Sequence, residues 1–354
     1  MYGELLGDCV MVDTNRRQFV KLAGAGIGTT ALAGCLGNGN GNGDEEYPPS
    51  ALTFVNAYSE GGGVDTNFRQ IQEYFESYLD TNLSPEYRDG AGTRTAATTV
   101  VQDQEMLQIG GTLSPATPAA IAVDETEGTE PQFTLDDIQP LGTLSGEAAI
   151  IRVREDEDRF RTIEELVEYS ADNNVTVGAS GPTNRNVLSI IQLLEETEAD
   201  FTIVPYGGGG PTQTALLQGE IDVAARSVYN SASIANDSHC LCIYAEENPE
   251  PDLTNDAPPI NDELGTDINY APSNGTQFYY VSAAAAEAYP DRYEYVQQAF
   301  EDAHGDEDYR ADLAEIGEEA KLVWNSPDET DEILQSAYET YLDFAPLFDQ
   351  YVQS

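Results

Sequence analysis

Val204-Pro205-Tyr206-Gly207-Gly208-Gly209-Gly210-Pro211-Thr212-Gln213-Thr214-Ala215-Leu216-Leu217-Gln218-Gly219-Glu220-Ile221-Asp222-Val223 is the stretch from which the architecture of this chain can be worked out. An apolar strand, Phe201 to Val204, runs into four consecutive glycines. A short helix follows, with Pro211 in its first turn and Gly219 just past its last, the usual proline-in, glycine-out asymmetry. A second apolar strand, Ile221 to Ala225, begins at once. Glycines before a helix let the backbone approach a ligand and aim free N–H groups at it. The helix dipole adds partial positive charge there, so the turn suits an anion such as a carboxylate. One such unit reads equally as a tight structural turn. This chain has the same device at 56–65 and again at 178–184.

At 354 residues the chain has room for two domains. Its net charge is −49, with 64 acidic against 15 basic residues. A nucleic-acid surface is excluded, because phosphate binding needs a basic footprint. With 40% hydrophobic residues the chain is not an acidic disordered one. A spread acidic surface keeps a folded protein soluble at very high salt, where exposed charges are screened, so the composition reads as that of an extreme halophile. An isolated Asp or Glu therefore carries little weight as a catalytic or metal-binding residue, and no metal or cofactor is expected. Of four cysteines, Cys9 and Cys35 precede the body. Cys240 and Cys242 lie two apart in an apparent strand, so both should face one side as small buried hydrophobes.

The amino terminus reads as an address. Asn15-Arg16-Arg17-Gln18-Phe19-Val20-Lys21 is a twin-arginine pattern, followed by an apolar run from Leu22 to Ala33 that is too short to span a membrane as a mature helix. It ends in Leu32-Ala33-Gly34-Cys35, which resembles a lipobox with Cys35 as the lipidated residue. Residues 1–35 are thus expected to be a Tat lipoprotein signal, with Met11 a more natural start than Met1. Residues 36–50, rich in Gly and Asn, read as a flexible tether. The mature protein is then expected on the extracellular face of the cell membrane, held by its lipid.

The body begins at Ala51. Leu52 to Val55 is a strand, and a helix is expected from about Thr66 to Leu79, capped by Asp65, with Phe68, Ile71, Phe75 and Tyr78 on one face. Met106 to Ile109 reads as a strand that ends in Gly110-Gly111-Thr112. Alternating strands and helices imply a parallel sheet in a three-layer α/β domain, whose ligands sit at the carboxyl ends of the strands. Two strands, Ile138 to Leu144 and Ala148 to Val153, look like a crossing into a second domain. Phe278 to Val281 reads as a return strand. The C-terminal part is helical over Tyr293–Ala303, Asp308–Gly317 and Asp331–Phe344, with a strand from Lys321 to Trp324 between the last two.

These loops, in this order, resemble the extracytoplasmic receptors of tripartite tricarboxylate transporters (the Bug type) over Ala51 to Ser354. The family pattern Pro-Phe-x-x-Gly-Gly-x-x-Asp stands here as the loop from Asn56 to Asp65. Asn-Arg-x-Gly-Ala-Gly-Gly stands as Tyr87 to Thr93. Gly-Ser-x-Gly-x-Gly-Ser is matched loosely by Gly178 to Thr183. Val-Pro-Tyr-Lys-Gly-Gly with Leu-x-Gly-x-Val-Asp stands as Val204 to Gly209 and Leu217 to Asp222. The resemblance implies a two-lobed periplasmic-binding-protein type II fold, a flytrap in which each lobe is a central sheet flanked by helices. It implies one lobe from 51–145 and 273–354, the other from 146–272. It further implies a small carboxylate ligand, a membrane permease as partner and no enzyme activity; a monomer is expected. Carried over, the ligand-binding candidates are Tyr58, Gly62, Gly63, Asp65, Gly90, Gly92, Ser180, Thr183, Tyr206, Gly207 and Gly208.

Two departures bear on the ligand. Gly207 replaces the family's Lys, and Arg226 stands where Asp is common. An arginine there suits a second carboxylate, which it would grip bidentately, though a salt bridge to a surface acid is the plain alternative. A flytrap serving TRAP-type transport or a sensor kinase would carry the same loops. A hydrolase reading of Gly178-Ala179-Ser180-Gly181-Pro182 lacks the elbow's last glycine and has only His239 and His304 as bases, the latter expected at a surface helix end.

Overall fold

In the computed structural model the chain divides into Met1–Asp44 and Glu45–Ser354. The described residues are 47–89, 93–181 and 184–352, all in the second unit. The export segment with Cys35, the loop glycines Gly90 and Gly92, and Thr183 lie outside them. Seven elements open the fold: β1 (Ala51–Asn56), α1 (Gly63–Leu79), β2 (Asn82–Tyr87), α2 (Arg94–Val101), β3 (Gln108–Ser114), α3 (Ala116–Thr126) and β4 (Ile138–Glu147). Then come β5 (Ala149–Arg154), α4 (Ile163–Ser170), β6 (Val175–Ser180), α5 (Arg185–Glu196), β7 (Phe201–Tyr206), α6 (Gly209–Gln218), β8 (Val223–Ser227) and β9 (Ser238–Ile243). After α7 (Pro251–Thr254) and α8 (Ile260–Leu264), β10 (Gly275–Ser282) returns to the first sheet. It is followed by α9 (Ala283–Ala288), α10 (Pro290–Gly305), α11 (Glu307–Glu315) and α12 (Pro327–Tyr351).

Two five-stranded sheets result, in the orders β2-β1-β3-β10-β4 and β7-β6-β8-β5-β9. Each has three parallel strands, where the strand–glycine–helix units stack, and then an antiparallel fourth strand, β10 or β5. The sheets are therefore mixed, not parallel as the alternation of elements suggested. The crossing strand β5 and the return strand β10 enter antiparallel to their neighbours, while β4, antiparallel to β10, again runs in the direction of β3. The chain thus has the expected α/β fold with two helix-flanked sheets.

The first lobe's core forms on α1, whose Phe68, Ile71, Phe75 and Leu79 are all fully buried against β1 and β10. Leu79, four residues after Phe75, completes this stripe; Tyr78 instead points out, 41% exposed. Phe54 stacks on Phe68 at 3.8 Å between ring centroids. Gly111 leaves room for Phe54, since a Cβ there would lie 2.3 Å from its ring. Gly110 and Gly111 are thus interior positions of β3 rather than a loop after it. The second lobe's core gathers Val177, Val187, Ile191, Ile203 and Val223 between β6, β7, β8 and α5. Helix α12 joins both: Leu334 packs in the first lobe, while Tyr341 and Phe348 pack in the second.

Three further expectations are corrected. Lys321–Trp324 is no strand; Glu319–Lys321 is a 3-10 turn, and Leu322 makes a single bridge to Ser145. His304 is buried at 2% exposure, with Nε2 3.1 Å from the Leu144 carbonyl and its ring against Trp324. Cys240 and Cys242 do not share a face: the register shift where β9 meets Arg152 sends them into different clusters, both buried.

Candidate functional site

The carboxyl ends of β1, β2, β3, β6 and β7 lead to helix starts along a cleft lined by residues of both sheets, Arg226 and Ser227 of β8 among them. Five first turns border it, and only α5 has a side-chain cap, Asn184 accepting from the N–H groups of Asn186 and Val187. Helices α1, α2, α3 and α6 have none. Elsewhere α4, α9, α11 and α12 are capped by Thr162, Ser282, Asp306 and Ser326, while α7, α8 and α10 have no side-chain cap. Uncapped first turns keep N–H groups that have no intrahelical acceptor, together with the positive end of the dipole. At α6 the cap residue is Gly208, with φ +157°, a conformation side-chain-bearing residues rarely adopt. Gly219 ends that helix in the left-handed conformation, as the proline-in, glycine-out pattern implied.

The cleft has two compartments that share Tyr58, Leu113 and Asn230. The first, about 520 Å³, is bordered by Arg94, Arg185, Arg226, Ser180, Asn184 and Gly209, and by Ala116, Ala119, Ala120 and Val123 of α3, the helix that also holds Arg94. Among the described residues no Asp or Glu lines it, in a chain where acids outnumber bases 64 to 15. The second, about 590 Å³, contains Gly61, Gly62 and Gly63 with Asn67, Gln277 and Lys321.

The three arginines differ in their partners. Arg94 grips Asp124 with Nε and Nη2, each 2.8 Å from an oxygen, and reaches the Ala120 carbonyl. Arg185 pairs with Glu147 at 2.9 Å, and Glu147 also accepts from the Asn230 backbone and side chain. Arg226 has neutral acceptors instead: the Ser180 hydroxyl at 2.9 Å and the Asn230 carbonyl at 2.8 Å. Its Nε has no partner, and the residue is 4% exposed. Burial pulls its pKa below the usual arginine value, Glu147 opposes this, and Arg185 and Arg152 add to it. Arginine is basic enough to stay charged. A buried cation whose hydrogen-bond acceptors are uncharged is costly, so the first compartment suits an anion.

The expected site residues divide. Tyr58, Ser180 and Arg226 come together in the first compartment; Tyr58, Gly62 and Gly63 line the second. Burial pushes the Tyr58 hydroxyl up to about 12, against the Thr112 hydroxyl and Arg185, so it stays a donor. Asp65 does not cap α1; the cap position is Gly62. Its carboxylate, inside the first turn, accepts from the Gly61 N–H at 2.8 Å and the Tyr87 hydroxyl at 2.9 Å, and so folds the glycine loop from beneath. Burial works to raise its pKa, but those bonds and Arg69 outweigh it and hold the carboxyl below its ordinary value. Tyr206, Gly207 and Gly208 line neither compartment; Gly209 does. Tyr206 packs on the cluster of Ala215, Leu216, Ile221 and Ala224. The Ser180 hydroxyl accepts a hydrogen bond from the Arg226 guanidinium. Arg94, Arg185, Asn184, Asn230 and the α3 wall were missed. The scarcity of basic residues was the available signal, since Arg94 and Arg185 each follow a glycine-containing loop.

No protein-family model matches the chain. A UPF0065 protein of Cupriavidus necator is 24% identical over 211 residues, 58% of this chain and 62% of that protein. One of Agrobacterium vitis is 25% identical over 228 residues, 62% of each. The match thus spans somewhat less than two thirds of either relative. Among solved structures, a TctC solute-binding protein from Polaromonas superposes with a TM-score of 0.70 at 18% identity, covering 85% of this chain and 99% of that one. MatC from Rhodopseudomonas palustris with bound malate gives 0.63 at 20%, covering 84% and 99%. Rpa4515 from R. palustris with adipate gives 0.64 at 17%, covering 86% and 99%. The resemblance carried by the glycine loops is borne out: the chain is similar to the TctC and Bug type of periplasmic solute-binding proteins and has their fold.

Proposed function

We propose that the protein is an extracytoplasmic receptor that captures a small carboxylate and hands it to a tripartite tricarboxylate-type permease. One observation carries this reading: an arginine-lined compartment that no described Asp or Glu borders, at the uncapped starts of α2, α3 and α6, in a chain of net charge −49. The ligand carboxylate would be held by Tyr58, by the glycine loops at Gly62, Gly63, Gly90 and Gly92, by Ser180 and Thr183, and by the Tyr206–Gly208 turn. We add the Gly209 N–H to that set. Asp65 would act by shaping the first loop. The ligand bridges the lobes, whose boundaries we place at 51–145, 146–272 and 273–354, with the end of α12 crossing onto the second lobe, and favours closure by its higher affinity for the closed state. Micromolar capture would require about 8 kcal/mol of net binding. The solute would be met outside the cell, with Cys35 as the lipid anchor.

Uptake tests the reading. A strain lacking this gene should lose accumulation of whichever labelled carboxylate stabilises the purified protein. Unchanged uptake with a lost transcriptional response to that carboxylate would move the receptor to a sensor kinase.

A further inference from the structure

We infer that the ligand carries a hydroxyl beside its carboxylate, and that Ser114 and Asn186 receive it. This deepens the receptor reading and rests on it. Ser114, the last residue of β3, is 1% exposed, and its Oγ has no partner. Asn186, in the first turn of α5, is 6% exposed, and its Oδ1 has none either. Both residues line the first compartment, one from each lobe. The polar groups around them are already used. Beneath the start of α3 the Thr117 hydroxyl lies 3.0 Å from that of Thr112 and 3.1 Å from that of Thr93, a chain that leaves Ser114 out. The Asn186 backbone is bound on both sides: its N–H donates to Asn184 Oδ1 and its carbonyl accepts from the Ser189 hydroxyl. The start of α3, just past Ser114, has no side-chain cap, so free N–H groups adjoin the serine.

A buried polar atom without a partner is costly, and two that face one space call for a group that answers both. Serine donates or accepts, whereas the asparagine oxygen only accepts. The answering group therefore needs a proton for Asn186, and a proton or a lone pair for Ser114. A carboxylate can take the serine's proton but has none for Asn186. An ammonium has protons, but Arg94, Arg185 and Arg226 line the same space and no described Asp or Glu does, so a further cation is repelled. A hydroxyl meets both needs without charge. A bare methylene would displace water from both atoms and return no hydrogen bond, the loss by which a site built for a hydroxyl rejects the analogue that lacks it. The chemistry is that of a hydroxycarboxylate, set apart from an amino acid by charge and from a plain acid by the two open atoms.

The test is calorimetric titration of the full chain in multimolar KCl with acids that differ at one carbon. One set is malate, succinate and aspartate; another is 3-hydroxybutyrate, butyrate and 3-aminobutyrate; citrate and tricarballylate make a third. In the set that fits the cleft, wild type should bind the hydroxy acid about tenfold or more tighter than its plain and amino counterparts. Ser114→Ala and Asn186→Leu should each cut that preference by about threefold or more. The melting temperature of each variant reports whether it folds, and the wild-type comparison stands without them. A plain or amino acid bound as tightly as its hydroxy counterpart in every set, or an unchanged preference in either folded variant, overturns the inference while leaving the carboxylate receptor standing. No binding of any of these acids overturns both.

Discussion

Arg226 and Ser180, 46 residues apart in sequence, are joined by a 2.9 Å hydrogen bond at the ends of neighbouring strands. The bond ties the second glycine loop to the cation that α6 opens onto. Gly209 leaves the space this needs, because the nearest atoms to a Cβ there belong to the Arg226 guanidinium. Gly209→Ala should displace that guanidinium without straining the backbone. Expected is a tenfold or greater loss of ligand affinity by calorimetry with a melting temperature within a few degrees of wild type. Unchanged affinity would mean that the guanidinium is not where the ligand binds.

The first lobe makes a separate, purely steric prediction. A methyl on Gly111 would collide with Phe54, which is already stacked on Phe68 and edge-on to Tyr279. Overpacking of this kind costs about 1–3 kcal/mol. Gly111→Ala should therefore lower stability by that much in denaturant titration, with no change in slope.

His304 makes the stability depend on pH. Burial, partly offset by the Leu144 carbonyl, lowers its pKa from 6.5 to about 4. The unfolded chain thus binds the proton first on acidification. The folded state has its full advantage above pH 6.5 and loses it down to about pH 4. Relative to His304→Phe, wild type should lose up to about 1.4 kcal/mol per pH unit across that window. A pH-independent difference would place the imidazole in water, contrary to its 2% exposure.

Cys35 supplies a test outside the described residues. Cys35→Ser should move the protein from the membrane fraction to the medium, and wild type should carry lipid on Cys35 by mass spectrometry. Equal fractionation of the two would remove the anchor.

Much of this was legible in the residues. The Gly208 turn, the Pro211 start and the Gly219 stop are local backbone chemistry, and local chemistry can be read from one strand and one helix. Sheet direction was not, because the pairing of β10 with β3 joins residues far apart in sequence. His304 was misread as exposed from its acidic neighbours; its burial comes from packing against Trp324. The site was legible in halves. The glycine loops advertise themselves by composition, but the alanines of α3 join the site only through the tertiary fold.

The most direct measurement is a thermal-shift screen of the purified protein in multimolar KCl against carboxylates, sugars, amino acids and amides. A ligand that binds only the folded state raises the melting temperature by mass action, by about 2.7 kcal/mol of stability at a hundred times its dissociation constant. A shift confined to a group of small carboxylates is predicted. Shifts with sugars, amino acids or amides and none with any carboxylate would contradict the carboxylate assignment and leave only the flytrap fold.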